Sequence, residues 1–327
     1  MKAVICPKYG SPDVLQIVER EKPTPKDDEI LVKIVATTVE SGDARMRDAR
    51  RGKVPFWPIS QLAMGLRGPR NPVLGVALAG EVEAAGSAVT RFQPGDRVFG
   101  SSGMSSGTHA EYFCVKAEGD VDAIPANLSF QEAAAVPFGS ESALALLRMA
   151  KIASGQDVLI YGASGAVGVW AVQIAKHFGA TVTAVCSAGN HDLVRGLGAD
   201  HLIDYKTEDF TQNGQTYDII FDTVGKTKWR QVKGSLKPQG RYLLAVMDWV
   251  EAGHVLRSMF SRGKKVVSGV ATGSAEDLGF IKGLLESGDL KPVIDRSYPF
   301  AEIAEAHRYV DTGRKRGSVV ITLGNAE

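Results

Sequence analysis

The densest run of small residues in the chain is Gly162-Ala163-Ser164-Gly165-Ala166-Val167-Gly168, directly after the apolar stretch Asp157-Val158-Leu159-Ile160-Tyr161. Small side chains at such a turn let the backbone approach a pyrophosphate, whose charge is met by the first amides of the following helix. Against the usual G-x-G-x-x-G, Ala163 replaces the first glycine, and Gly165 and Gly168 supply the other two. The pattern alone is weak, because any tight strand-to-helix turn in an α/β domain could produce it. Its setting decides for a dinucleotide: a strand precedes it, and a helix follows with Val169, Val172, Ile174 and Ala175 placed to pack on a sheet.

The next strand says which dinucleotide. NAD binders usually carry Asp or Glu about 20 residues past the glycines, to hold the ribose 2′-hydroxyl. Here Thr181-Val182-Thr183-Ala184-Val185 runs on into Cys186-Ser187-Ala188-Gly189-Asn190-His191, with no carboxylate before Asp192. A missing acid removes repulsion against a 2′-phosphate. Ser187, Asn190 and His191 offer hydrogen bonds, and Arg195 offers charge if it points that way, so NADPH is favoured over NADH. The bland alternative is that Ser187 and Asn190 only cap a helix.

These residues need a sheet to hold them. From about residue 126, strands and helices alternate. Gln131 to Lys151 is Ala- and Leu-rich at helical spacing. The glycine turn leads into a helix from Val167 to Phe178, and Asp192 to Leu197 is a short helix. Further strands are His201-Leu202-Ile203, Asp218 to Asp222, Arg241 to Val246 and Lys265 to Val270. Trp229 to Leu236 and Ala275 to Glu286 read as helices. Such alternation implies a parallel sheet covered on both faces. The first third reads as β structure instead, in Ile30 to Ala36, Leu78 to Gly86 and Arg97-Val98-Phe99. Helix Ala301 to Val310 and strand Ser318 to Leu323 read as a tail returning to that first domain.

Composition narrows the class. With 327 residues, 44% of them hydrophobic and 23% charged, the chain suits one large or two ordinary globular domains, not a disordered or disulfide-stapled one. Lys+Arg 38 against Asp+Glu 37 leaves +1, no field to gather nucleic acid or an anionic membrane. The cysteines Cys6, Cys114 and Cys186 are odd in number and far apart, which fits a reducing cytoplasm. The first residues carry an apolar run too short for a signal peptide. Val158 to Ala175 is apolar enough to suggest a membrane span, but Gly162, Gly165 and Gly168 mark it as strand-turn-helix. Residues 44 to 72 hold Arg45, Arg47, Arg50, Arg51, Lys53, Arg67 and Arg70 among Pro55, Pro58, Pro69 and Pro72. That segment is either a basic site for an anion or, as preferred here, a solvated irregular loop.

The chain resembles the medium-chain dehydrogenase/reductase superfamily, in its zinc-free quinone oxidoreductase branch, over nearly its whole length. The resemblance rests on ordered motifs: Met1-Lys2-Ala3-Val4, Val39-Glu40-Ser41-Gly42-Asp43, Gly80 to Gly86, Gln93 to Gly100, Ala110-Glu111-Tyr112, the glycine turn, Leu197 to Asp200, Asp222-Thr223-Val224-Gly225 and Gly317 to Val320. It implies an α/β architecture, a doubly wound Rossmann sheet inserted into a GroES-like β-barrel domain, with the nicotinamide in the cleft between them. The domains are then 1–125, completed by 291–327, and 126–290. It also implies a homodimer or tetramer built by pairing edge strands, for which Lys265 to Val270 is the candidate, unless Lys264 and Lys265 guard that edge.

Departures from the family pattern are informative. Where the zinc alcohol dehydrogenases place a Cys and a Gly-His-Glu, this chain has Glu40-Ser41-Gly42-Asp43 and Gly75-Val76-Ala77, and the four-cysteine structural lobe is missing. Zinc needs three or four well-placed ligands, and the 6 histidines are scattered, so no zinc is expected. Glu40 stands where the branch has Asn, Arg45 where it has Tyr, and Asn190 where it has the lysine of the NADPH-phosphate site; Ser187 and Tyr205 match that site. Ser142 stands where a threonine is common near the nicotinamide. The cofactor residues carried over are therefore Ser142, Ser164, Gly165, Ala166, Val167, Gly168, Ser187, Asn190, Tyr205, Val224 and Gly225.

Without a Lewis acid, hydride acceptors must already be electrophilic, as quinones and α,β-unsaturated carbonyls are. The expected function is NADPH-dependent reduction of such a molecule. Its proton comes from solvent or a nearby side chain, for which Glu40, Asp43 and Arg45 are candidates, with Asp43 equally readable as a turn residue. His109, where the family has an aromatic, reads as a buried, bonded histidine. Two rivals remain: a zinc-type alcohol dehydrogenase, and a nucleotide-binding regulator without turnover, which the charges of Glu40 and Arg45 would suit.

Overall fold

The structure is a computed structural model. It describes residues 1–50, 54, 56–57, 59–259, 262–269 and 273–324. The chain divides into two compact units, one made of Met1–Phe138, Thr272–Gly288 and Pro292–Glu327, the other of Gly139–Ala271 and Asp289–Lys291.

The first unit is built on a long strand, Glu29–Val39, whose β-branched residues Ile30, Val32 and Ile34 are buried. The strand order of its sheet is Ile294–Pro299, Ser318–Thr322, Glu29–Val39, Ala77–Ala85, Arg97–Ser101, Val121–Ala123, with Tyr112–Lys116 also paired to Glu29–Val39. The tail returns as expected: Val319 lies opposite Val39 and Thr322 opposite Ala36 in an antiparallel ladder. One core joins Ile30, Val32, Leu78, Val98, Val319 and Ile321 with Ile303 and Val310 of the helix Ile303–Asp311.

The second unit is a sheet of parallel strands in the order His201–Asp204, Thr181–Cys186, Asp157–Tyr161, Tyr217–Asp222, Leu236–Leu244, Lys265–Ser268. Numbered within the unit this is 3-2-1-4-5-6, the doubly wound order of dinucleotide-binding sheets. Helices cover both faces, so Val158, Leu159, Ile160, Ile219, Ile220 and Phe221 are each 0% exposed. The order reverses between Asp157–Tyr161 and Tyr217–Asp222, and in such sheets ligands bind beyond the carboxyl ends of the strands at that reversal.

Several expectations need correction. Gln131 to Lys151 is two helices, Phe130–Ala134 and Pro137–Met149, because Pro137 disfavours helical backbone at Val136. Residues 44 to 72 are not an irregular loop throughout: Ser41–Arg47 and Ile59–Met64 are helical. Arg51, Lys53, Pro55 and Pro58 of that segment, and Val270 of the expected edge strand, lie outside the described residues.

The units also divide differently from 125/126 and 290/291. Phe130–Ala134 packs on Glu29–Val39 and Ala77–Ala85, burying Ala133 and Ala134. Helix Ala275–Glu286, expected in the dinucleotide domain, packs instead on Val121–Ala123. It buries Leu278, Ile281 and Leu285, and Lys282 pairs with Asp122 at 3.0 Å.

Candidate functional site

The glycine turn sits at the sheet's reversal, and its glycines do different jobs. Gly162, not Ala163, takes the left-handed backbone, at φ +83°. A Cβ on Gly168 would lie 2.2 Å from the Gly162 carbonyl oxygen, so this glycine lets the helix Ala166–His177 pack against its own strand. A Cβ on Gly165 would meet only that same oxygen, at 3.4 Å. Space beside Gly165 is therefore left for something other than protein. Gly165 is also the helix N-cap and has no side chain to accept from the first turn, so the amides of Ala166, Val167 and Gly168 have no side-chain cap. Backbone amides left uncapped at a helix start are able to meet an anion.

The end of the neighbouring strand gathers the hydroxyls expected there. Asn190 Nδ2 donates to Ser164 Oγ at 2.9 Å and lies 3.3 Å from Ser187 Oγ. Since Asn190 is the donor, both serine hydroxyls remain free to donate outward. Neither Ser187 nor Asn190 makes a side-chain cap bond to a helix, which removes the bland reading. His191 Nε2 is buried without a hydrogen-bond partner among the described residues. Tyr205 is half-exposed and lies tilted against Tyr161, ring centroids 6.4 Å apart, at the carboxyl end of the first strand of this sheet. The nearest acid on the adjoining strand, Asp204, is turned into its own loop, accepting from the Lys206 amide at 3.0 Å. Arg195 is committed to Asp192 at 2.9 Å. Burial pushes the Cys186 thiol up to about 11, so no thiolate forms here near neutral pH.

Beyond the fourth strand, the fully buried Asp222 shapes the loop. Its carboxylate accepts from the amides of Val224 (2.9 Å), Gly225 (2.7 Å) and Thr227 (2.7 Å). Gly225 turns at φ +73°. The loop is thereby held against the glycine turn, where a Cβ on Gly162 would come within 2.7 Å of Val224 Cγ1. Sequence reasoning had Asp222 only as part of a motif and missed this organising role. Ser142 is half-buried, one helical turn past Gly139. At Gly139 a Cβ would lie 2.4 Å from the Ala166 carbonyl oxygen, so that helix starts hard against the turn.

Glu40, Asp43 and Arg45 lie in the other unit and are placed differently from one another. Glu40 is 1% exposed and ion-paired to Lys315, also buried at 9%, whose Nζ also donates to the Gly317 carbonyl at 3.0 Å. Burial pushes the Glu40 carboxyl up, and the Lys315 ammonium opposes that rise. Asp43 accepts from the amides of Glu40 (2.7 Å) and Gly75 (3.1 Å), a capping role at the start of Ser41–Arg47. Its carboxyl is likewise raised by burial. Arg45 is half-buried, its pKa lowered by desolvation, with no ion pair or hydrogen bond among the described residues. The neighbouring Arg47 is 2% exposed and bidentate to Asp311 at 2.7 and 2.9 Å, the opposite of a solvated basic loop.

Two family models match: an alcohol dehydrogenase GroES-like domain over residues 26–126 and a zinc-binding dehydrogenase over residues 197–321. A 2-methylene-furan-3-one reductase of Solanum lycopersicum is 35% identical, covering 98% of this chain and 79% of that enzyme. The chain belongs to the medium-chain dehydrogenase/reductase superfamily. Within it, the quinone-oxidoreductase-like branch fits best. The NADPH-dependent alkenal/one oxidoreductase of Arabidopsis thaliana is 31% identical over 98% of this chain and 79% of its own length. The quinone oxidoreductase of Coxiella burnetii superposes with a TM-score of 0.86 at 29% identity, over 99% of both chains. Although one matching model is named for zinc, no group of three or more His, Cys, Asp or Glu among the described residues is arranged to hold a metal ion. Among those residues, no helix is long and apolar enough to cross a membrane.

Proposed function

We propose that this member of the superfamily is an NADPH-dependent, zinc-independent reductase of quinones or α,β-unsaturated carbonyls. The observation that carries the cofactor choice is the Ser164–Ser187–Asn190 cluster at an acid-free strand end. The related alkenal/one oxidoreductase is named as NADPH-dependent, which supports the same choice.

The cofactor supplies a hydride, and the chain holds the cofactor. The free amides of Ala166, Val167 and Gly168 meet the pyrophosphate beside Gly165, where no side chain competes. The Ser164 and Ser187 hydroxyls, oriented by Asn190, donate to the 2′-phosphate with Tyr205. Val224 and Gly225, fixed by Asp222, flank the dinucleotide at the sheet's reversal, and Ser142 offers a hydrogen bond near the nicotinamide. Zinc independence is supported by residue type, since Glu40 and Val76 stand where the zinc enzymes have Cys and His. The substrate class follows, because an acceptor not polarised by a metal must be electrophilic by itself. We further propose a homodimer and, from the three free cysteines, a cytoplasmic setting.

One screen tests this reading: oxidation of NADPH and of NADH with a panel of quinones, enones and simple ketones, before and after dialysis against a chelator. Turnover of quinones or enones with NADPH, unaffected by the chelator, is the expected result. Ketone or alcohol turnover lost on chelation would make it a zinc dehydrogenase. Tight NADPH binding without turnover of any acceptor would make it a regulator.

A further inference from the structure

The first unit contains a second cluster of buried polar groups that the proposed chemistry does not use. His109 and His307 are both 0% exposed, their rings perpendicular with centroids 5.8 Å apart. Their tautomers follow from their partners. His109 Nε2 lies 2.9 Å from the Thr38 carbonyl oxygen, which can only accept, so Nε2 carries a proton and, in the neutral ring, Nδ1 is the acceptor. His307 Nδ1 lies 3.0 Å from Arg47 Nη1, which can only donate, so Nδ1 accepts and the proton is on Nε2. What remains is complementary: one donor, His307 Nε2–H, and one acceptor, His109 Nδ1. Both are buried and neither has a hydrogen-bond partner among the described residues.

Two further buried oxygens from one short stretch lack partners in the same way, Thr38 Oγ1 and Glu40 Oε1. Buried groups seldom go unbonded, and internal water is the usual partner where two to four polar atoms converge. Two hydrogen bonds of about 2.9 Å through one water of roughly tetrahedral geometry span about 4.7 Å between heavy atoms, and the two ring centroids lie 5.8 Å apart.

We infer that His109 and His307 bind an internal water molecule, which accepts from His307 Nε2–H and donates to His109 Nδ1, with Thr38 Oγ1 as its third partner. The water joins the helix Ile303–Asp311 to the strand Glu29–Val39 and fixes the orientation of both rings. Charged groups around the pair are Arg47, paired to Asp311, together with Asp43 and the Glu40–Lys315 pair. Burial, with the Arg47 guanidinium adding to it, keeps His307 well below the ordinary histidine range.

The test uses the full chain with 15N-labelled histidine. The 15N shifts should report an Nε2–H tautomer for His307 throughout the pH range in which histidines ordinarily titrate, and a hydrogen-bonded Nε2–H for His109. The His307 Hε2 proton should give a cross-peak to a slowly exchanging water. In Thr38→Val that water should exchange faster, with the tautomers unchanged. A scalar coupling between His307 Nε2–H and His109 Nδ1 would show direct bonding and overturn the inference. So would a doubly protonated His307 near neutral pH, or a high-resolution crystal structure with no water density between the rings.

Discussion

Replacing Ser187 with Asp should turn the cofactor preference from NADPH to NADH, and the geometry sets how far. Ser187 is half-buried at the end of Thr181–Cys186, its Oγ 3.3 Å from Asn190 Nδ2. A carboxylate there keeps Asn190 as a donor and stays directed into the site. Two unit charges about 5 Å apart repel by about 3 kcal/mol at an effective dielectric of about 20, and solvent at a half-exposed position reduces that to about 1.5 kcal/mol. The lost serine hydrogen bond to a charged phosphate oxygen adds about 1.5 kcal/mol or more. Together, about 3 kcal/mol corresponds to a loss of about a hundredfold in kcat/KM for NADPH. NADH, which meets a new acceptor for its ribose hydroxyl, should gain severalfold. Steady-state kcat/KM with both cofactors and one common enone measures the change. Ser187→Ala, which removes the donor without adding charge, should weaken NADPH alone. If Ser187→Asp shifts the ratio by less than about threefold, or if the unaltered chain already prefers NADH, the 2′-phosphate does not sit on this serine.

Other consequences follow from the same geometry. Gly165→Val places its branch in open space at φ −80° and ψ 174°, a backbone any residue adopts, so the fold should survive while NADPH binding by fluorescence titration weakens at least tenfold, about 1.4 kcal/mol. Gly168→Ala should do the reverse of that, costing about 1–3 kcal/mol of stability in denaturant melts, because its Cβ meets the Gly162 carbonyl oxygen at 2.2 Å. Lys315→Met strands a buried carboxylate at Glu40 and should cost about 3–5 kcal/mol, largely recovered by adding Glu40→Gln. In that single variant burial holds the Glu40 pKa above its unfolded value. The folded chain then binds the proton more readily, and the deficit should shrink as pH falls toward the ordinary glutamate range.

What could be read from the sequence was whatever the backbone itself demands. The glycine turn was legible because only small residues satisfy its turn and close approaches, though the left-handed position fell on Gly162 and not on the position Ala163 fills. Strand alternation gave the doubly wound sheet, because period and β-branching are local properties. The helix Ala275–Glu286 was legible as a helix but not as part of the first unit, since its apolar face would suit either sheet and only Val121–Ala123 decides. The Glu40–Lys315 pair joins residues 275 positions apart, beyond any local signal.

Asn190 shows the same limit at the site itself. By type it looked like the loss of a phosphate-binding lysine. In the fold it donates to two serine hydroxyls and leaves both free to donate in turn. A charge was replaced by orientation, and a sequence displays charges but not which way a hydroxyl proton points. Oriented neutral donors hold an anion with less long-range attraction than an ammonium does. The proposed preference for NADPH should therefore be modest and nearly independent of ionic strength. A preference that collapses with added salt would instead point to a cation, such as the exposed Lys206 beside Tyr205, as the group that recognises the phosphate.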